Sequence, residues 1–206
     1  MKKKLKIILA TSNAHKVEEI KKFLTTYEIY ALNEIITPFE IIEDGTSFKE
    51  NALIKSKAIF NALGKKQDEF ITLSDDSGIS VEALDNAPGI FSARYSQEST
   101  DEANRNKLIQ SLHEKNLHQS KAFYTAAIAI SSKYGHFSTH GYMHGLAIDT
   151  PRGNNGFGYD PLFIPKGFDK TLGELDEQVK LKISHRSQAL MFATYILRAL
   201  EKMEYW

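Results

Sequence analysis

The strongest constraint on the fold comes near the start of the chain, where an apolar run, a polar turn and a helical repeat follow one another without a break. Leu5–Ala10 is aliphatic enough for a buried strand, Thr11-Ser12-Asn13 reads as a turn, and Val17, Ile20, Phe23 and Leu24 recur at helical spacing, which predicts a helix over 14–24. A strand feeding a helix through a short polar turn belongs to proteins in which a sheet is covered by helices. In that arrangement the helix start, with its free N–H groups and positive dipole end, can receive phosphate.

The rest of the chain keeps mixing the two periodicities. Tyr27–Ile42 is β-like and irregular. Ser47 and Glu50 form a capping box and Gly64 supplies a C-terminal stop, so a second helix is expected between them. Its apolar stripe is Phe48, Ala52, Ile59 and Ala62, with Lys55 in the middle and Lys49 and Lys57 turned away. Lys55 has two readings: a side chain snorkelling to water, or a cation aimed into a ligand cleft. Phe70–Ser74 reads as a strand ending at Asp75-Asp76-Ser77-Gly78, and Ile79–Leu84 as a separate short strand. A helix is expected over 104–112, a hairpin from 122–131 and 137–148 around Lys133-Tyr134-Gly135, and a glycine-rich loop over 153–158. The last helix is expected to start at Ser184, with Ala189, Phe192, Ala193, Ile196, Leu197, Leu200 and Met203 on one side. The pattern is α/β with a mixed sheet, and 206 residues fit a single domain spanning 1–206, with room for two lobes.

Composition narrows the functions. Lys+Arg and Asp+Glu both number 26, so bulk charge points to no nucleic acid or membrane partner. Without cysteine the chain has no thiolate nucleophile and no zinc–sulfur site, which fits a cytoplasmic setting. The Lys2-Lys3-Lys4 start reads as a solvated terminus.

Chemistry concentrates in a few places. Asp75-Asp76 could be a capped turn or, at a strand end, ligands for Mg²⁺, a hard cation that takes carboxylates, phosphate oxygens and water. Glu43-Asp44-Gly45 precedes the helix that carries Lys55. Lys16 and the pair His185-Arg186 stand at helix starts, where the dipole disfavours cations, so their expected partner is a negative ligand. His136, His140 and His144 would line up on a helix, but their surroundings are strand-like and set them about 13 Å apart in steps of four, too far to share one ion. No P-loop or nucleophile elbow is present.

Together these blocks resemble the inosine triphosphate pyrophosphatase family, house-cleaning enzymes that hydrolyse ITP, dITP and XTP. The resemblance runs through Thr11-Ser12-Asn13-Ala14-His15-Lys16, Glu43-Asp44-Gly45-Thr46-Ser47-Phe48 with Glu50-Asn51-Ala52 and Lys55, and Ser74-Asp75-Asp76-Ser77-Gly78. It continues through Pro88-Gly89-Ile90-Phe91-Ser92-Ala93-Arg94-Tyr95, Gly156-Phe157-Gly158-Tyr159-Asp160-Pro161, Lys180 and Ser184-His185-Arg186. Two positions depart from the family pattern: Gly173-Glu174-Leu175 stands for Ala-Glu-Leu, and Val179 replaces an acidic residue before Lys180. Both bear on local packing more than on chemistry.

The resemblance implies a two-lobed α/β fold, with a long mixed sheet flanked by helices and a central nucleotide-binding cleft, in a protein that is usually a homodimer. It implies Asp76 as catalytic, Glu43 and Asp76 as the metal carboxylates for Mg²⁺, and Asp75 in support. It implies Thr11, Ser12, Asn13, Ala14, His15, Lys16, Lys55 and Ser77 as triphosphate contacts. Phe157, Gly158, Tyr159, Asp160, Lys180, His185 and Arg186 fall to the nucleotide and base pocket, with Arg94 a lesser member. The products are then monophosphate and pyrophosphate, through direct attack of water. Donors from Arg186 or His185 would meet the 6-carbonyl of a deaminated purine and face the amino group of adenine donor to donor. Competing readings are a septum-inhibitor-like pyrophosphatase for other modified nucleotides, a nucleotide sensor without turnover, and a nucleic-acid-binding module.

Overall fold

The structure is a computed structural model that describes residues 5–203; the Lys2-Lys3-Lys4 start lies outside the described residues. Six strands form one mixed sheet in the order β2-β1-β3-β4-β5-β6. They are β1 (Lys6–Leu9), β2 (Glu28–Ala31), β3 (Phe70–Val81), β4 (Gln119–Ser132), β5 (Gly135–Ile148) and β6 (Phe163–Pro165). β1 runs parallel to β2 and β3, whereas β5 and β6 are antiparallel. The helices are α1 (Ala14–Phe23), α2 (Leu32–Ile35), α3 (Phe48–Ala62), α4 (Asp101–Glu114), α5 (Glu177–Ile183) and α6 (His185–Met203). This is the α/β class with a mixed sheet that the intermixed periodicities imply.

Contacts gather the chain into two units. The first takes the described residues up to Asp76, Ala126–Gly141 and those from Arg186 onward; the second takes Ser77–Thr125 and Tyr142–His185. In the first unit, Ile7, Leu9, Ile20, Leu73, Ile128, Ala193 and Leu197 pack into one apolar core. Each fully buried Ile or Leu of that set contributes about 1.5–3 kcal/mol relative to exposure. A second cluster there joins Ile8 with Ile59, Phe60 and Phe70. The second unit has its own core of Ile79, Val81, Leu108, Leu112, Tyr124, Leu162 and Phe163.

The helix starts follow their caps. Asn13 accepts from the backbone N–H of His15 and Lys16 at α1, Ser47 from Glu50 at α3, and Thr100 from Ala103 at α4. At α3 the box is reciprocal in effect, since the Glu50 carboxylate accepts from the Thr46 N–H and hydroxyl at 2.7 and 2.8 Å.

Four expectations are corrected. β3 does not end at Asp75; it runs unbroken through Asp75-Asp76-Ser77-Gly78 to Val81, merging two expected strands. Buried aspartates can occupy a strand when each meets a cation, and Gly78 lets the chain pass Ser92, whose Oγ would stand 2.3 Å from a Cβ there. The sequence pattern marks no helix over 177–183, yet α5 forms there on the Asp176 cap and ends at Ser184; α6 then starts at His185, directly after Ser184, as expected. On α6 the inward face is Ala189, Leu190, Ala193, Leu197 and Leu200, while Phe192 and Met203 are exposed. On α3, Ala62 is exposed because the last turn rolls away from the core that Ile59 and Leu63 enter.

Candidate functional site

In the first unit, β3 brings Asp75 and Asp76 into two different environments although they are adjacent. Their side chains leave opposite faces of the strand. Asp75 is fully buried and meets Lys16 Nζ at 2.5 Å, with Arg186 Nε at 3.1 Å on one oxygen and Nη2 at 3.4 Å on the other. Arg186 also donates through Nη1 to Glu19 on α1. Burial alone would raise the Asp75 pKa, but Arg186 and Lys16 outweigh it and hold the carboxyl well below the usual carboxylate range. Arg186, itself buried, is held above its ordinary value because Asp75 and Glu19 overcome its desolvation.

Asp76 points to the other side. Lys55 Nζ donates to Asp76 Oδ1 at 2.9 Å and to Glu43 Oε2 at 2.8 Å. Lys55 is therefore turned inward between two carboxylates, which outweigh burial and raise its pKa. For Asp76, burial dominates: the pKa is raised despite Lys55 and Lys16, and the charge of Asp75 adds to the rise. Asp76 Oδ2 is buried and has no hydrogen-bond partner among the described residues. A buried carboxylate oxygen without a partner is costly, and a hard cation satisfies it. Asp76 and Glu43, brought together on Lys55, are an all-oxygen donor set of the kind Mg²⁺ takes, so the residues fit such an ion.

The loop that carries Glu43 is fixed to α3. Asn51, almost fully buried, accepts from the Gly45 N–H at 2.9 Å, and its Nδ2 has no hydrogen-bond partner among the described residues. A Cβ at Gly45 would stand 2.7 Å from Asn51 Oδ1 and from Glu50 Cβ, which is why this turn needs glycine.

Around α1, Thr11 is half-buried and Ser12, Asn13, Ala14 and His15 are exposed. The Asn13 side chain occupies the N–H groups of residues 15 and 16. The sequence reading gave the cations at helix starts a ligand as their negative partner. In the structure Lys16 meets Asp75, and Arg186 meets both Asp75 and Glu19, which ties β3 to α1.

In the second unit, a different group forms around the glycine loop. Asp160 accepts from the Phe157 N–H at 3.0 Å and from Lys180 Nζ at 2.7 Å, and Lys180 also lies over the Phe157 ring at 4.8 Å. Gly156 has φ 77°, and a Cβ there would stand 2.0 Å from Asp160 Oδ2. Gly158 donates to Asp101 and accepts from Arg105, both on α4. Tyr159 is buried, donates to the Ser92 carbonyl at 2.8 Å, and has its pKa raised by that burial. His185 stacks on Tyr124 with centroids 4.6 Å apart and planes 13° apart. Ser77 is half-buried in β3, and Arg94 is exposed, lying over Phe91 at 5.3 Å.

The described residues 7–194 match the model of the Ham1 family. The chain belongs to the Ham1 family. Among Ham1 relatives, the dITP/XTP pyrophosphatase of Campylobacter fetus subsp. fetus is 62% identical over 201 residues, covering 96% of this chain and 98% of that one. The dITP/XTP pyrophosphatase of Campylobacter jejuni subsp. jejuni serotype O:2 is 58% identical over 199 residues, covering 96% and 100%. The solved Ham1 structure from Coxiella burnetii superposes with a TM-score of 0.83 at 35% identity, over 95% of this chain and 99% of that one. The Ham1 protein of Staphylococcus aureus gives 0.82, also at 35%, over 94% and 98%.

Against this Ham1 frame, sequence reading missed Glu19, Asn51, Tyr124, Ser92, Asp101 and Arg105. Asn51 and Ser92 both lie inside blocks that carry the family resemblance, Asn51 beside the capping box and Ser92 within 88–95. The others are ordinary helix or strand residues whose partners lie far away in sequence, and no local pattern marks them.

Proposed function

We propose that this chain hydrolyses the deaminated purine nucleoside triphosphates ITP, dITP and XTP to monophosphate and pyrophosphate, using Mg²⁺. The observation that carries the reading is Asp76: a buried carboxylate with one oxygen on Lys55 and the other without a hydrogen-bond partner among the described residues, in a family whose similar members are named dITP/XTP pyrophosphatases.

Asp76 and Glu43 would hold the ion, which neutralises triphosphate charge when bound. Asp76 orients the attacking water and accepts its proton, a role suited to a carboxyl raised above its ordinary range. Water adds at the α-phosphorus, the bond to the β-phosphate oxygen breaks, and pyrophosphate leaves. Lys55 stabilises the charge that develops, and Lys16 with the residues 11–15 contacts the triphosphate. Asp75 stays ionised and keeps β3 in place through Arg186 and Lys16. In the second unit, Phe157, Gly158, Tyr159, Asp160, Lys180 and His185 serve the nucleotide and base, with Ser77 contacting phosphate. The whole of 1–206 works as one domain.

The assembly we propose is a homodimer, supported by Met191, Phe192 and Tyr195, large apolar side chains exposed together on α6. No described helix is long and apolar enough to cross a membrane. We place the protein in the cytoplasm, acting on small molecules rather than on nucleic acid or a membrane.

The deciding experiment is purified protein with a panel of ITP, dITP, XTP, GTP and ATP plus Mg²⁺, with the products separated. Monophosphate and pyrophosphate from ITP and XTP, abolished by EDTA, are expected. Diphosphate with orthophosphate, or turnover that survives EDTA, overturns the reading. Light scattering at twice the chain mass is expected for the dimer.

A further inference from the structure

We propose that His113, His118 and Asp149 form a second metal site, for a borderline divalent ion such as Zn²⁺ or Ni²⁺. His113 sits in the last turn of α4, His118 just before β4 and Asp149 just after β5. His113 Nε2 lies 2.9 Å and His118 Nδ1 2.7 Å from the same oxygen, Asp149 Oδ2. One ligand atom from each residue falls within 4.8 Å of the other two. A tetrahedral ion with bonds of about 2.0–2.2 Å to imidazole nitrogen and carboxylate oxygen needs its ligand atoms about 3.4 Å apart. Small side-chain rotations reach that spacing.

The backbone beneath the three side chains is fixed. Asn116 N–H donates to the His113 carbonyl at 2.8 Å and Leu117 N–H to Leu112 at 3.0 Å, closing α4 with Asn116 at φ 56°. Leu112 is fully buried, which anchors this turn in the core of the second unit. The Asp149 N–H donates to the His118 carbonyl at 3.0 Å, tying the third ligand to the second. Thr150 Oγ1 donates to Asp149 Oδ1 at 3.0 Å, leaving Oδ2 as the oxygen turned to the imidazoles. Such a partner behind a ligating carboxylate is a usual part of metal sites. The His118 side chain is 88% exposed and that of His113 54%, so water can complete the coordination.

The alternative is a pair of surface His–Asp contacts, and exposed pairs of that kind contribute little to stability. The donor chemistry separates this site from the carboxylates of the first unit. Two imidazoles and one carboxylate favour Zn²⁺, Ni²⁺ or Cu²⁺ over Mg²⁺, whereas Glu43 and Asp76 offer oxygen alone. The proposal does not rest on the function assigned above.

The test is calorimetric titration of the full chain with Zn²⁺ in excess Mg²⁺, which keeps the oxygen-only site occupied. One saturable site in the micromolar range is expected. His118→Ala and Asp149→Ala should weaken it at least about 10- to 100-fold, since a lost ligand weakens binding no less than a lost outer partner does. Asp76→Asn should keep it. Zn²⁺ should raise the melting temperature of the wild type and not that of His118→Ala. With Mg²⁺ alone, pyrophosphate release by His118→Ala should match the wild type. Absence of saturable binding overturns the proposal, and so does Zn²⁺ affinity that survives the double change of His113 and His118 to Ala.

Discussion

The two units solve the same problem, holding polar side chains out of water, with different mixtures of charge and shape. In the first, charges compensate one another: Asp75 takes Lys16 and Arg186, Arg186 takes Glu19, and Lys55 takes Asp76 and Glu43. In the second, one buried ion pair, Lys180 with Asp160, sits among ring and carbonyl contacts: Lys180 over the Phe157 ring, His185 against Tyr124 and Tyr159 on a carbonyl. A charged network leaves some oxygens ready for a cation, as at Asp76. A cluster of rings and glycine turns presents surfaces that a flat, neutral group can match. On the proposed function, the difference suits the first unit to bound charge and the second to a base.

The contrast is broken most sharply within β3 itself. Asp76→Asn keeps the shape and removes the charge, so kcat should fall at least about 10²-fold while the fold survives. Asp75→Asn should do the reverse: it strands buried Arg186 and Lys16, at a cost of about 3–5 kcal/mol in chemical unfolding, with the loss of activity following the loss of folded protein. If Asp75→Asn is stable and dead while Asp76→Asn turns over normally, the roles of the two aspartates are exchanged.

The next effect is on substrate choice. His185→Ala should shrink the ratio of kcat/KM for ITP over ATP by about 10-fold or more, since one mismatched buried donor is worth about 1–3 kcal/mol. Lys16→Ala should lower all substrates alike. Arg186→Lys should leave the ratio intact and cost stability, because a single ammonium cannot reproduce the paired contact of the guanidinium with Asp75. A ratio that follows Arg186 and ignores His185 would return base reading to the first unit.

Smaller still is Gly156→Ala. A side chain at φ 77° is strained and its Cβ would meet Asp160 at 2.0 Å, so Asp160 must leave Lys180. About 1–3 kcal/mol of stability is expected to go, the usual cost of crowding a packed site, with a rise in KM larger than any fall in kcat. Equal melting and equal KM would show that the loop tolerates another turn.

The smallest effect is a pH dependence on β5. Burial lowers the pKa of His136 and His140 below 6.5. As pH falls, the unfolded chain takes up these protons first, so stability is present above about pH 6.5 and declines as pH drops through the lower folded values. Replacing both with Gln should flatten the slope of urea midpoint against pH between 7.5 and 5.5. An unchanged slope would place the titrating groups elsewhere.

Much of the site was legible because local chemistry marks it. The capping box Ser47–Glu50, the inward Lys55 and the glycines at 156 and 158 are patterns a few residues long, and each stands in the structure in the element expected for it. What local pattern does not show is which side chain each charge meets. Asp75-Asp76 read as the end of a strand because two carboxylates do not belong in a buried one, and His185-Arg186 read as cations awaiting a ligand. Both readings lacked the partner residues: 111 positions separate Asp75 from Arg186, and 167 separate Glu19 from Arg186.

The sequence by itself determined the α/β class, five of the helix and hairpin assignments that depend on periodicity and caps, and the family to which the chain belongs. Only the tertiary structure decided that β3 runs through its aspartates, that both oxygens of Asp75 are paired while Asp76 keeps one oxygen without a hydrogen-bond partner among the described residues, and that Arg186 ties β3 to α1. Periodicity and capping are settled within a turn or two of backbone, so they are written in consecutive residues. The state of a buried charge depends on which opposite charge the fold delivers to it within about 4 Å, where the interaction is strong enough to outweigh desolvation.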